Sequence, residues 1–412
     1  MIMKILLAHP GQQHSFKVAE SLKEEGLLFK FVTAVYDKNS SFWMRLTHHI
    51  VRGNDIGRLS NRKSLKLDDN DVVTYFTFLS LAVIVLSRYN WAKSIANWLD
   101  RKVSDFFGVK VAKLAIKNGV DVVICFSTNE RTCFKYLEKK APNIKRVVDC
   151  ANSPLNYMKY IYDEDVARTG LTNLMEEVPS FWDEGVLNKE KQGISLTHYF
   201  LAPSNFVAKG LQYCGVDLSK ILIQPYGCNF DIVDSPQQVP ARLKFIYVGQ
   251  VTFRKGLHYL LEAFSSIKDD NISLEIVGAW KSDFFVKKYR VDKRISFRGN
   301  VLHEEVHRLL LKSNVFLFAS LTEGLSLSCM EALCSGLPIV CSNNSGANDV
   351  IEDGVNGFTF EYDDIDLLKT HILYFCKNKN KLPAFSKAAL DTAKKFSWDH
   401  YSKQLYKNIN TI

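Results

Sequence analysis

The chain has 412 residues, 47% of them hydrophobic and 24% charged, with a formal net charge of +9. That length exceeds what one hydrophobic core usually serves, and the composition is that of a folded globular protein, so disordered and collagenous classes drop out and two packed domains are expected. The positive balance favours anionic partners; with neither a zinc-finger spacing nor an aromatic RNP-type strand present, nucleic acid ranks behind phosphorylated small molecules and anionic lipid.

From the start, Met1-Ile-Met-Lys-Ile-Leu-Leu-Ala runs straight into His9-Pro10-Gly11, without the long apolar core and cleavage site of a signal peptide. Nine cysteines are scattered with no C-x-x-C pair, several inside apolar runs, and read as buried thiols in a reducing compartment. A cytoplasmic location is expected. Lys4–Ala8 is predicted as a strand, Phe16–Gly26 as a helix, and Phe31–Val35, Val120–Phe126 and Arg146–Cys150 as further strands.

Between them lies Val72–Ser87, 16 residues without a charge, shorter than the roughly 20 a membrane span needs. Arg45, Arg52, Arg58, Arg62, Lys63 and Lys66 precede it, Arg88, Lys93, Arg101 and Lys102 follow it, and Trp43, Trp91 and Trp98 stand nearby. Two readings stand: peripheral contact with an anionic membrane through residues 45–102, or a buried helix with solvated flanks.

The polar, proline-bearing stretch Asn229–Leu243 separates the halves. The expected division is 1–235, 236–395 and a closing helical segment 396–412. In the second half Lys244–Val248, Leu274–Val277, Ile295–Phe297, Val315–Phe318, Pro338–Cys341 and Phe358–Phe360 read as strands, most followed by helices. This alternation predicts an α/β class with parallel sheets.

Two strand-to-helix turns carry chemistry. In the stretch Val315–Val340 a strand leads through Glu323-Gly324-Leu325-Ser326-Leu327 to a helix carrying Glu331. The helix N-terminus offers free N–H groups, and carboxylates suit sugar and ribose hydroxyls. By spacing alone, Ser328 to Glu331 is equally a capping box, in which Glu331 serves only the backbone. In the second turn, Gly249 begins a loop ending Arg254-Lys255-Gly256 at a helix start. Two cations there oppose the helix dipole, a conflict that a bound diphosphate relieves; the alternative is a solvated basic loop.

Together these segments resemble family 4 of the retaining glycosyltransferases. The resemblance rests on the E-x7-E pattern from Glu323 to Glu331, the Arg254-Lys255-Gly256 segment before Leu260–Ala263, Leu274–Gly278, Phe297-Arg298-Gly299-Asn300-Val301, Ser345-Gly346 and Val350–Phe358, in order across about Leu201 to Phe360. It implies the GT-B architecture: two Rossmann-like doubly wound domains facing across a cleft, the N-terminal one for the acceptor and the C-terminal one for the nucleotide sugar. Phe396-Ser397-Trp398 resembles the start of the family's final helix, which crosses back to the first domain.

By the same resemblance Glu323 contacts donor sugar hydroxyls, Glu331 the ribose, and Arg254 with Lys255 the diphosphate. Backbone of Gly324, Leu325, Ser326 and Leu327 holds the sugar, Gly249 and Gly11 approach the donor, and Arg298, Asn300 and Val301 border the base. The sequence departs from the family at Gln250, where many members carry arginine, and at Ser326, where glycine is frequent. No acceptor-side histidine is assigned, since Asp149–Pro154 contains none. The implied reaction transfers a sugar, with retention, from a UDP- or GDP-sugar to a saccharide or polyprenyl-linked acceptor in surface-polysaccharide assembly. The alternatives are an epimerase or hydrolase of the same fold and a non-catalytic sugar-binding protein. No cofactor and no metal are expected, because no Asp-x-Asp stands beside a strand end; Asp68-Asp69-Asn70-Asp71 reads as a loop or helix-start cluster.

Overall fold

A computed structural model describes residues 3–11, 14–37, 62–127, 130–228, 230–280 and 282–412. In the first half, β1 (Ile5–Ala8), β2 (Leu28–Thr33), β3 (Val72–Thr74), β4 (Val122–Phe126), β5 (Lys145–Asp149), β6 (Tyr199–Ala202) and β7 (Ile221–Ile223) pair in the order β3-β2-β1-β4-β5-β6-β7. In the second, β8 (Leu243–Val248), β9 (Ile272–Val277), β10 (Ile295–Gly299), β11 (Val315–Phe318), β12 (Ile339–Ser342) and β13 (Gly357–Phe360) pair as β10-β9-β8-β11-β12-β13. Every strand pairing is parallel. Helices cover both faces of such sheets, so β4 (VVICF) and β11 (VFLF) are apolar and buried throughout rather than alternating.

In each sheet the chain works outward from a central strand, then returns to build on that strand's other side. The reversal leaves a switch point between β1 and β4 and another between β8 and β11, where the loops leaving the strand ends diverge into a crevice. Both predicted turns of the second half lie at its switch point. Strands β3, β6 and β7 are missing from the sequence reading.

The uncharged run 72–87 divides into β3 and a helix, Thr77–Leu86, entered through Phe76 in the left-handed region at φ 61°. Of its ten residues Thr77 is buried, Phe78 and Val85 are exposed and the other seven are half-buried, so the helix is packed along one side rather than enclosed in the core. Phe78 is 54% exposed, and beyond the helix Trp91 is 76%, Trp98 56% and Phe106 61% exposed. Lys93, Arg101 and Lys102 are exposed among them. Trp43, Arg45, Arg52 and Arg58 lie outside the described residues. Among those described, no helix is long and apolar enough to cross a membrane. The acid cluster is a turn before β3, with Lys23 bridging Asp68 and Asp71 at 2.6 and 2.7 Å.

The last helix, Trp398–Asn410, is capped by Ser397 and packs on the helix Ser15–Glu24 of the first unit. Asn408 donates to Ile223 O at 3.0 Å and to Gln224 Oε1 at 2.9 Å, and Tyr401, Leu405 and Ile409 are buried there. The chain therefore ends on the unit in which it began. Cys228 and Cys334, read from sequence as separate thiols, meet sulfur to sulfur between the halves with Cα atoms 7.3 Å apart, wider than most disulfides span.

Candidate functional site

The loops after β8 and β11 lie against each other. Gly256 begins the helix Leu257–Ser266 at φ 65°, and a Cβ there would sit 1.7 Å from Ala319 O, so the position requires glycine both for its dihedral and for the approach of the second loop. This brings Lys255 Nζ into an ion pair with Glu323 Oε2, the ammonium also resting 5.4 Å from the centre of the Phe318 ring. Burial, with the Arg254 charge adding to it, pushes the Lys255 ammonium well below the usual lysine range, and the Glu323 carboxylate works against that. The second loop is fastened from behind: Glu323 N donates to Asn344 O at 3.0 Å and Ser326 N to Ser345 O at 3.3 Å.

Ser326, not Ser328, caps the helix Leu327–Cys334, its hydroxyl accepting from Cys329 N at 3.3 Å. Glu331 lies beyond the first turn and serves no backbone N–H at the helix start, so the capping-box alternative fails. Its carboxyl is 7% exposed as a residue, and burial pushes it up to about 7. The imidazole of His303 stands 3.7 Å away. The segment leading to His303 is Arg298–Val301, but the Arg298 guanidinium is turned onto buried Glu275 of β9, which Lys244 of β8 pairs from the other side. Asn300 is exposed and Val301 half-buried, three and two residues ahead of His303. Gly249 is used for packing here, a Cβ on Gly278 meeting its carbonyl oxygen at 1.8 Å.

The first unit closes directly onto these loops. A Cβ on Gly324 would lie 2.1 Å from Ala151 O, and the Ser204 hydroxyl donates to Gly324 O. Leu325 is buried behind it, and Leu327 is partly exposed at the helix start. Gly11 lies past the end of β1, its N–H donating to His9 Nδ1 at 2.8 Å, so the structure sets it at the first unit's own switch point and shows no contact from it to the second unit's loops among the described residues. In the same crevice His14 Nε2 and Asp149 Oδ1 are 2.9 Å apart, the imidazole packed on Phe126 and Tyr226. His14 stood in the His9–His14 loop that sequence reading singles out only for Gly11.

Two further residues escape sequence reading altogether. Tyr162, buried, meets the Thr322 hydroxyl, and burial pushes its phenol up to about 12. Glu177 accepts from the N–H groups of Phe253 and Arg254. Both sit in ordinary amphipathic helix with no motif around them. The backbone amides of Phe253 and Arg254, ahead of the Leu257–Ser266 helix, thus already hold a carboxylate, and the Arg254 charge acts on Tyr162, Tyr247 and Glu177. Among the described residues no cluster of three metal-ligating side chains occurs.

Residues 232–392 match the model of the family described as glycosyl transferases group 1. The O-antigen chain mannosyltransferase B of Escherichia coli is 26% identical over 167 residues, 39% of this chain and 43% of that protein. The matched stretch is thus less than half the length of that curated relative. Among solved structures, the apo form of the lipopolysaccharide outer core galactosyltransferase WaaB superposes with a TM-score of 0.64 at 16% identity, covering 99% of each chain. Anabaena Alr3699/HepE in complex with UDP does so with 0.65 at 14% identity, covering all of each chain. The likeness over the full length establishes the GT-B fold.

Proposed function

We propose that this chain is a nucleotide-sugar-dependent glycosyltransferase. The observation that carries the reading is the Lys255–Glu323 pair at the β8/β11 switch point, inside the segment that matches the glycosyltransferase family. In transfer from a nucleoside diphosphate sugar, negative charge develops on the leaving phosphate, and a cation already desolvated at the site stabilises it. Lys255 is that cation, with Arg254 adding field from behind. Glu323, released from Lys255 when the diphosphate arrives, takes donor sugar hydroxyls. Glu331 takes the ribose and the Asn300–Val301 backbone borders the base.

The finer reading follows family 4: retention of anomeric configuration, a hexosyl group from a UDP- or GDP-sugar, and a saccharide or polyprenyl-linked acceptor. The named relatives act in O-antigen and lipopolysaccharide assembly, in keeping with that acceptor class. Incubation with labelled UDP-, GDP-, ADP- and TDP-sugars and lipid-linked or free saccharides tests it. Transfer with a retained anomer by proton NMR is expected. Free sugar or an epimer with no acceptor product would instead establish the hydrolase or epimerase alternative.

The acceptor's location is proposed from the surface between Thr77 and Phe106. Apolar and indole side chains stand exposed among Lys93, Arg101 and Lys102, the arrangement that inserts shallowly into an anionic leaflet. We place the enzyme on the inner face of the cytoplasmic membrane. In flotation, binding should require anionic lipid, fall with added salt and weaken in Arg101→Glu/Lys102→Glu. No binding to anionic liposomes at low salt would point to a soluble acceptor.

A further inference from the structure

Both loops that carry the Lys255–Glu323 pair are gripped from the opposite unit by one stretch of chain, Leu155–Glu177. The helix Leu155–Thr169 sets the Tyr162 hydroxyl against that of Thr322, immediately before Glu323. The short helix Asn173–Glu177 ends on a carboxylate whose Oε1 accepts from Phe253 N at 2.9 Å and whose Oε2 accepts from Arg254 N at 3.1 Å, immediately before Lys255. The same stretch is held farther along. Asp165 accepts from the Tyr259 hydroxyl, and Arg168 reaches the Tyr259 hydroxyl at 2.6 Å and pairs with Asp363.

A carboxylate that engages two successive N–H groups with its two oxygens fixes the orientation of the two peptide planes to which those groups belong. Here they are the planes on either side of the Phe253 Cα, and the second ends at the Arg254 Cα, one residue before Lys255, so their orientation sets the course on which the backbone reaches Lys255. Tyr162 holds the second loop through a side chain instead, its hydroxyl meeting that of Thr322, the residue before Glu323. Neither group touches the Lys255–Glu323 pair itself. Both arrive only with the first unit docked against the second, since Leu155–Glu177 belongs to the first and the gripped loops to the second.

We propose that Glu177 and Tyr162 are positioning residues, which set the Lys255 and Glu323 loops for the nucleotide sugar and make that site complete only when the two units are closed. This rests on the reading of the loops as a donor site. It predicts that donor affinity and domain closure are coupled, each favouring the other.

The test compares wild type, Glu177→Ala, Glu177→Gln and Tyr162→Phe by amide hydrogen exchange over residues 251–256 and 320–324, by calorimetry with UDP and with GDP, and by thermal melting. Glu177→Ala should speed exchange at Phe253 and Arg254 and weaken binding of the preferred nucleotide by about tenfold, the size of one charge-assisted contact, with little change in melting temperature. Glu177→Gln keeps one acceptor oxygen and should fall between the two, a graded rescue that a general loss of packing would not give. Exchange unchanged in Glu177→Ala overturns the proposal, and so does faster exchange with unchanged nucleotide affinity. A wild-type chain that binds neither nucleotide overturns the donor reading instead, and exchange at the two amides still decides whether Glu177 grips the loop.

Discussion

Lys255 and Glu323 hold opposite charges in contact where the residues themselves are largely withdrawn from water, an arrangement that is stable only while both partners are present. Losing Glu323 leaves a desolvated cation and removes a hydroxyl acceptor at once. Glu323→Ala should therefore lower turnover by more than about tenfold, equivalent to roughly 1.4 kcal/mol of transition-state stabilisation, while circular dichroism shows a folded protein. A near-wild-type rate would remove Glu323 from the reaction. Lys255→Ala should weaken binding of UDP or GDP in calorimetry by about tenfold or more.

Glu331 gives a pH signature of its own. Its carboxyl titrates at about 7 in the folded chain against 4.5 as the ordinary glutamate value, because burial disfavours the charged form. The folded state therefore holds its proton more tightly than the unfolded state. That contribution to stability is full below the unfolded value and is lost as pH rises through about 7. Glu331→Gln, which cannot ionise, should match wild type in unfolding free energy near pH 5 and exceed it near pH 8, by on the order of 2–3 kcal/mol. A ribose hydroxyl donating to the carboxylate would favour the ionised form, so wild-type donor affinity should rise with pH across the same window. Equal stability of variant and wild type at both pH values would show that the Glu331 carboxyl is not raised in the folded chain.

At the scale of elements, the site depends on the back-to-back packing of two loops, and Gly256 is where that packing is tightest. Its positive φ and the oxygen of Ala319 exclude any side chain. Gly256→Ala should cost about 2–4 kcal/mol, read from denaturant midpoints, and should weaken nucleotide binding because the Lys255 and Glu323 loops separate together. A stability loss below about 0.5 kcal/mol would mean that the loops part without strain. The motif around Glu323 was legible from sequence because strand, loop and helix follow one another within 20 residues and share their local rules. The distinction between a capping Ser326 and a capping Ser328 was not, since the Ser328-to-Glu331 spacing favours the wrong serine and only the observed dihedrals and hydrogen bonds pick out Ser326.

At the scale of the molecule, the terminal helix ties the second unit's chain end to the first unit's sheet. Leu405→Ala removes a fully buried side chain from that seam and should destabilise by about 2–5 kcal/mol, with the first unit's melting affected most. If the helix were a loosely attached tail, differential scanning calorimetry would show no shift.

The amino-acid sequence by itself determined the α/β class, the two-part division of strands and the two turns that build the candidate site, because hydrophobic period, glycine stops and helix starts are local properties. It also put Lys255 on one strand-to-helix turn and Glu323 and Glu331 on another, which the β8/β11 pairing brings together. Tertiary structure alone decided that the helix after Thr77 is only half-buried, with Phe78 and Val85 exposed, that Arg298 is spent on Glu275, and that Glu177 and Tyr162 reach the Lys255 and Glu323 loops from the other unit. Those facts depend on which sheet a side chain crosses to and which unit docks opposite it. Neither leaves a periodicity or a spacing in the chain, so the interactions between the units, on which closure of the site depends, become visible only once both sheets are folded and facing each other.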